Sequence, residues 1–408
     1  MNRKMLFLSF IAIFVLFIFS STAPAEAAST MFNRTYGGTD NDAAQSVVQI
    51  SDGGYAIAGS TRSFGAGGSD FWLVRTDSKG NTEWNKTYGG EGENVANSVI
   101  QTSDDGYALA GRSAFDLWVV KTDSAGNMRW NKTYGSSDGS SEASSIMQTS
   151  DGGYAIAGYT NFVPSFGGPF WLVKTDSAGN VLWNKTYGGN GANSLIETSD
   201  GGYAMAGYFG SGYDMPDFRL VKTDSAGREE WSKNYGGPGK DIAFSVVQVN
   251  DGGYALAGWT YSFGGGGMNI WLVKTDSNGN AQWNKTYGVG SAWSMVKTSD
   301  GGFALAGTKL VITDAEGNMQ WNRTLSESGQ DQIYSLVQTI DGGFALAGIK
   351  ESSNGGGNNF WLVKTDETGT VPEFPYWVLM PSFMVATSIA LLVKKSLFHR
   401  QAIKSKIN

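Results

Sequence analysis

Cysteine is absent from all 408 residues, and histidine occurs once, at His399. No disulfide can form, no thiolate can hold a metal or act as a nucleophile, and imidazole chemistry is excluded from everything upstream of that position. Proline is scarce at 8 residues, whereas glycine reaches 57. Positive charge is also short in the main body. Arg3, Lys4, Lys394, Lys395, Arg400, Lys404 and Lys406 lie in the two ends and Glu26 lies near the first, so residues 29–393 carry a formal charge of −13. An acidic body lacks the cationic footprint of a phosphate binder, which excludes nucleic acid as a partner. Aromatic residues are plentiful at 13%, including 14 Trp. Disordered low-complexity chains lack such rings, and many tight turns with large packed side chains indicate an all-β protein.

The repeats dominate. Asp-Gly-Gly-Tyr-Ala-Ile-Ala-Gly recurs with its aromatic residue at Tyr55, Tyr107, Tyr154, Tyr203, Tyr254, Phe303 and Phe344. Trp-Leu-Val-Lys-Thr-Asp recurs at Trp72, Trp118, Trp171, Trp271 and Trp361, with Phe218-Arg219 in the fourth copy and Lys309-Leu310 in the sixth. Trp-Asn-Lys-Thr-Tyr-Gly begins at Trp84, Trp130, Trp183, Trp231, Trp283 and Trp321. In the first unit the pattern predicts strand a over 46–50, strand b over 55–59, strand c over 71–77 and strand d over 82–88, joined by Gly-rich turns. Four strands in about 50 residues are the dimensions of a β-propeller blade. Small residues (Ala56, Ala58, Gly59) near the axis and Trp72 and Trp84 further out suit a space that widens with radius. A seventh copy of the third core stands at the start, as Phe32-Asn33-Arg34-Thr35-Tyr36-Gly37, while the last repeat stops near Asp366. These residues are expected to pair with 360–366 as the missing d strand, closing a seven-bladed ring and removing an open edge.

The pattern over residues 31–369 resembles the secreted seven-bladed β-propeller repeat family often labelled SBBP. The resemblance implies the fold and carries no single activity. Residues 1–28 read as a signal peptide: a basic start, an apolar run from Met5 to Phe19 and a small-x-small site at Ala25-Glu26-Ala27. An uncleaved signal anchor is the alternative. After a propeller spanning 29–370, a linker at 371–375 contains Pro372-Glu373-Phe374-Pro375, followed by an apolar run at 376–393 and a basic tail at 394–408. Eighteen apolar residues span about 27 Å as a helix, enough to cross a bilayer, and basic residues beyond favour a cytoplasmic tail. This end resembles the archaeal PEF-CTERM sorting signal, which implies processing by an archaeosortase; a plain membrane anchor is the alternative. Both expectations place the propeller at the cell surface.

The a–b and c–d turns share one face and hardly vary. The b–c and d–a loops share the other and vary, which is where function concentrates on a fixed scaffold. The b–c loops carry Phe64, Phe166, Tyr208, Phe209, Tyr213, Trp259, Tyr261 and Phe263, candidate ligand-binding rings, although such rings also pack onto their own loops. The sixth b–c loop is nearly absent. Asp52, Asp151, Asp200, Asp251, Asp300 and Asp341 open the hairpin turns, and Asp77, Asp123, Asp176, Asp224, Asp276, Asp314 and Asp366 end strand c. Equivalent copies imply turn chemistry, since catalysis would break the symmetry. No metal or cofactor is indicated beyond a weak calcium signal at Asp40, Asp42, Glu142, Asp241 and Asp331. Asn33, Asn85, Asn131, Asn184, Asn284 and Asn322 begin Asn-x-Ser/Thr triplets on strand d and are candidate glycosylation sites. The expected function is non-enzymatic binding of a glycan, peptide or envelope partner through the variable face. An extracellular polysaccharide-active enzyme using loop carboxylates, or a purely structural envelope protein, are the alternatives.

Overall fold

A computed structural model describes residues 31–135, 140–162, 168–210, 215–325, 331–352 and 356–371. The expected signal peptide, sorting motif, transmembrane helix and basic tail lie outside these residues, as do Phe166 and Tyr213. Among the described residues no helix is long and apolar enough to cross a membrane.

The described strands form seven four-stranded antiparallel sheets, each the blade of a propeller. In blade 1 the strands are a (Asp42–Gln49), b (Tyr55–Thr61), c (Asp70–Thr76) and d (Thr82–Tyr88). Strand a therefore begins four residues before the expected Ser46. The cause is a β-bulge: the register with strand b shifts between Ala44 and Ser46, and every blade repeats this shift. An extra residue breaks the two-residue period, so alternation reads as strand only beyond it. The bulge also corrects the role of Gly59. A β-carbon there would lie 1.9 Å from the Ala43 carbonyl oxygen, so this glycine admits the bulged strand of its own blade. Ala56 and Ala58 do face the neighbouring blade, within the core shared by blades 1 and 2.

Closure follows the expected register. Phe32–Tyr36 is the outer strand of the last sheet, with Phe32 opposite Lys364 and Tyr36 opposite Phe360. The a strands touch their neighbours around the full circle, including the first against the last. Each junction buries its own apolar cluster, small and aliphatic near the axis and aromatic further out.

Repeated polar contacts lock the junctions. The strand-d tyrosine donates its hydroxyl to the c–d turn glycine carbonyl of the next blade: Tyr88 to Gly126, Tyr134 to Gly179, Tyr187 to Gly227, Tyr235 to Gly279 and Tyr287 to Gly317, all at 2.7–2.8 Å. Tyr36 does the same to Gly80 at 2.7 Å, joining the last blade to the first. Nearer the axis, the serine after six of the seven bulges accepts from the following blade's a-strand N–H, as Ser46 does from Val99 at 3.1 Å, and Ser335 closes the circle on Val47. The repeated aspartates behave as the symmetry argument expects. Asp52 accepts from Gly54 N–H and Asp77 from Lys79 and Asn81 N–H, each closing a turn. In every blade but the sixth, the hairpin aspartate also meets a buried strand-c cation; Lys174, with the Thr149 hydroxyl, holds the Asp151 carboxyl down to about 2.

Phe32 is 7% exposed and fills the place that tryptophan takes in other d strands, so Phe32→Ala is expected to cost about 3 kcal/mol in urea unfolding. An unchanged midpoint would mean that the terminal strand is not integral to the ring.

Candidate functional site

The bulges shape the inner rim of the ring. Each re-aims one side chain, as bulges do, on the innermost strand of its blade. The seven residues are Gln45, Asn97, Ser144, Asn193, Phe244, Trp293 and Tyr334. The first four are polar and the last three aromatic, so the inner ring is divided by chemistry. Phe244 and Trp293 approach at 4.2 Å between ring centroids, and Trp293 and Tyr334 at 5.8 Å, forming one aromatic arc across blades 5, 6 and 7. All three rings are half-buried, and burial raises the Tyr334 hydroxyl pKa, keeping it a neutral donor. On the polar side, Asn97 donates to the Ala143 carbonyl at 2.8 Å and Asn193 to the Ala243 carbonyl at 2.7 Å, each leaving its own carbonyl as an acceptor.

The loop aromatics do not gather into one site. Phe64 is 44% exposed yet packs on Trp72 at 5.2 Å, and Phe263 packs on Trp271 at 5.1 Å. Arg219 lies over Phe209 at 4.9 Å, Trp259 packs edge-on against Tyr261 at 5.4 Å, and Tyr208 is half-buried. These rings are largely committed to their own blades. Two-residue alternation does not reveal the arc, because the bulge hides the first residues of strand a. Its signal was present: in Ala-x-Ser the middle residue is aromatic only in the fifth and sixth repeats, and in Ile-Tyr-Ser of the seventh.

Blade 6 departs most from the repeat. Strand b ends at Gly307 and strand c starts at Leu310, so only Thr308-Lys309 separates them. The usual strand-c cation is Ile312, and the strand-d tyrosine is Leu325. The lowered rim thus lies on the blade that holds Trp293, the centre of the arc.

The five carboxylates that carry the calcium signal are engaged within the protein. Asp42 accepts from the hydroxyls of Thr61 and Ser63, and Asp241 from those of Thr260 and Ser262. Glu142 accepts from Asn97 and Tyr159, and Asp331 accepts from Glu351 N–H and pairs with Lys350. Asp40 accepts from Asn41 N–H. No group of three or more metal-binding side chains occurs among the described residues. One carboxylate pair lies outside the repeated turns. A β-carbon on Gly236 would lie 1.9 Å from Asp217 Oδ1 and 2.7 Å from Asp241 Oδ2. The blade 7–blade 1 junction shows the same arrangement, with Asn359 and Asp42 against Gly37. The geometry therefore belongs to the junction, and at Asp217 the amide is replaced by an acid whose Oδ1 has no hydrogen-bond partner.

The six candidate glycosylation asparagines are exposed on strand d. Five have a further role. The strand-c indole N–H donates to the asparagine carbonyl in the pairs Trp72–Asn85, Trp118–Asn131, Trp171–Asn184, Trp271–Asn284 and Trp361–Asn33, at 2.7–3.3 Å. Blade 4 changes both partners, and Arg219 there donates to Ser232 and Asn234 at 3.0 Å.

No family model and no curated protein matches the chain in sequence. Solved structures match in fold. The WD40 β-propeller domain of Doa1 superposes with a TM-score of 0.55 at 15% identity, covering 81% of this chain and 95% of that one. Sqt1 from Chaetomium thermophilum gives 0.52 at 14% identity over 84% and 88%. Sqt1 bound to the N-terminus of the ribosomal protein L10 gives 0.51 at 11% identity over 81% and 98%. At such identities the likeness establishes the propeller fold.

Desolvation, and then the neighbouring Asp241, raise the Asp217 pKa above 3.8. The folded state thus holds this proton more tightly than the unfolded chain, so stability is full in acid and falls as pH rises through the folded value. Asp217→Asn is expected to raise Tm at pH 7 and to leave it unchanged near pH 3. An equal gain at both values would contradict this account.

Proposed function

We propose that this chain is a non-catalytic binding propeller that docks another protein through the aromatic arc of Phe244, Trp293 and Tyr334. The observation that carries the reading is the coincidence of two departures from sevenfold repetition. The arc is centred on blade 6, and blade 6 is also the blade whose rim loop is missing. Blades 1 to 4 repeat the packing without the rings, so the arc is not a requirement of the fold. Rigid, half-exposed Trp and Tyr are the residues that dominate protein interfaces, because they offer large contact area with little rotamer freedom to lose. A neighbour of the same fold, Sqt1, holds the N-terminus of a ribosomal protein, which supports a polypeptide as the occupant.

A protein is favoured over a glycan because most of the loop-face rings are engaged within their own blades. Catalysis through the Asp217–Asp241 pair is disfavoured by its copy in the blade 7–blade 1 junction and by the burial of Asp241 at 0% exposure. The leader-like start and the apolar run at 376–393 support display of the propeller outside the cell, tethered at its C-terminal end.

Peptides selected from a random display library against the full chain test the reading. Trp293→Ala is expected to weaken the selected peptides at least about tenfold, the behaviour of an interface anchor. Tyr261→Ala is expected to leave them within about twofold. The reverse order would move the site to the loops.

A further inference from the structure

Blade 6 has lost half of a repeated pair. In five blades a strand-c indole reaches outward along its own sheet and donates to a strand-d asparagine. In blade 6 the tryptophan position is Lys309, yet the asparagine remains, as Asn322. Blade 4 shows what compensation looks like: its tryptophan became Arg219, its asparagine became Ser232, and the two bond to each other. Blade 6 has no such repair.

The Asn322 amide is also held in the orientation of an occupied site. In blade 2, Asn131 donates to Met128 Sδ at 3.2 Å while its carbonyl accepts from Trp118. Asn322 donates to Met319 Sδ at 3.3 Å, which turns its carbonyl the same way, where blade 6 supplies no indole. Lys309 is too narrow to replace the ring and turns its ammonium towards Gly288 near the end of the blade 5 d strand. The outer seam between blades 5 and 6 consequently opens into a groove of about 600 Å³, lined by Tyr287 and Gly288 on one side and Met319 and Asn322 on the other. Lys285 and Asn318 also line it, bonded to each other at 2.6 Å, while Tyr287, Gly288 and a half-exposed Met319 supply aromatic, small and polarizable surface that suits contact with a ring.

We propose that this groove takes a tryptophan side chain presented by a partner protein, which stacks between Tyr287 and Met319 and donates its indole N–H to Asn322 Oδ1. The partner thereby completes the blade, supplying in trans the ring that the other blades carry themselves. A second copy of this chain is a poor donor, since every tryptophan among the described residues is buried or half-buried within its own ring. The site is on the outer wall and independent of the inner aromatic arc, so either can fail without the other. A glycan on Asn322 and a ring in the groove exclude each other.

N-acetyltryptophanamide is the probe, titrated onto the full chain and followed by ligand-observed NMR. It is expected to bind, and its 1-methylindole analogue to bind about fivefold more weakly, the effect of one net hydrogen bond. Lys309→Trp fills the groove from within and is expected to abolish binding. Should that variant not fold, Asn322→Leu, a change at an exposed position, is expected to weaken the probe about fivefold and to remove the difference between probe and methylated analogue. Absence of binding, equal affinity for the methylated analogue, undiminished binding to folded Lys309→Trp, or full glycosylation of Asn322 would each overturn the proposal.

Discussion

A four-stranded sheet with two apolar faces cannot be stable alone, and the structure depends on the solution to that constraint. Each blade covers the face of the next, and the circle must return to its start or leave a face bare. The return rests on Phe32 and Tyr36. Phe32 fills the aromatic place beneath Gly80, whose positive φ and lack of a side chain let the turn lie on the ring. The Tyr36 hydroxyl then fastens that turn. The same turn-on-ring contact recurs around the circle, as with Gly126 on Trp84 and Gly179 on Trp130. Without the terminal strand, the last blade would expose an unpaired edge and half a core.

Most of this was legible because repetition turns one inference into seven. The closing strand, the turn roles of the aspartates and the outward gradient of side-chain size all followed from comparing copies. Two features escaped for definite physical reasons. The bulge hid the start of strand a, because an inserted residue reverses which side chains face the core, and Phe244, Trp293 and Tyr334 were lost with it. The strand-d asparagines were read through their triplets alone. That Oδ1 accepts an indole N–H from strand c is a tertiary fact, although the joint loss of Trp and Asn in the fourth repeat hinted at it.

Symmetry gives the functional argument its footing. Seven copies of a contact signify architecture, and a departure from them signifies either drift or use. Drift is expected to be scattered. Here the inner aromatic arc, the missing rim loop and the vacant indole position all fall on blade 6 or its immediate neighbours. Blade 6 also gives up its strand-c cation and its strand-d tyrosine, losing interactions that the other blades keep. A blade that surrenders local stability while its neighbours retain theirs is where the proposed site is expected.

A partner held by the aromatic arc must engage the inner strands of blades 5 to 7. Hydrogen–deuterium exchange of the full chain, with and without a saturating library-selected peptide, tests it most directly. The account places new protection at residues 241–246, 290–297 and 331–336 and little change in the equivalent strands of blades 1 to 4. Protection spread evenly over all seven a strands, or confined to the loops at 60–69 and 259–268, would contradict it.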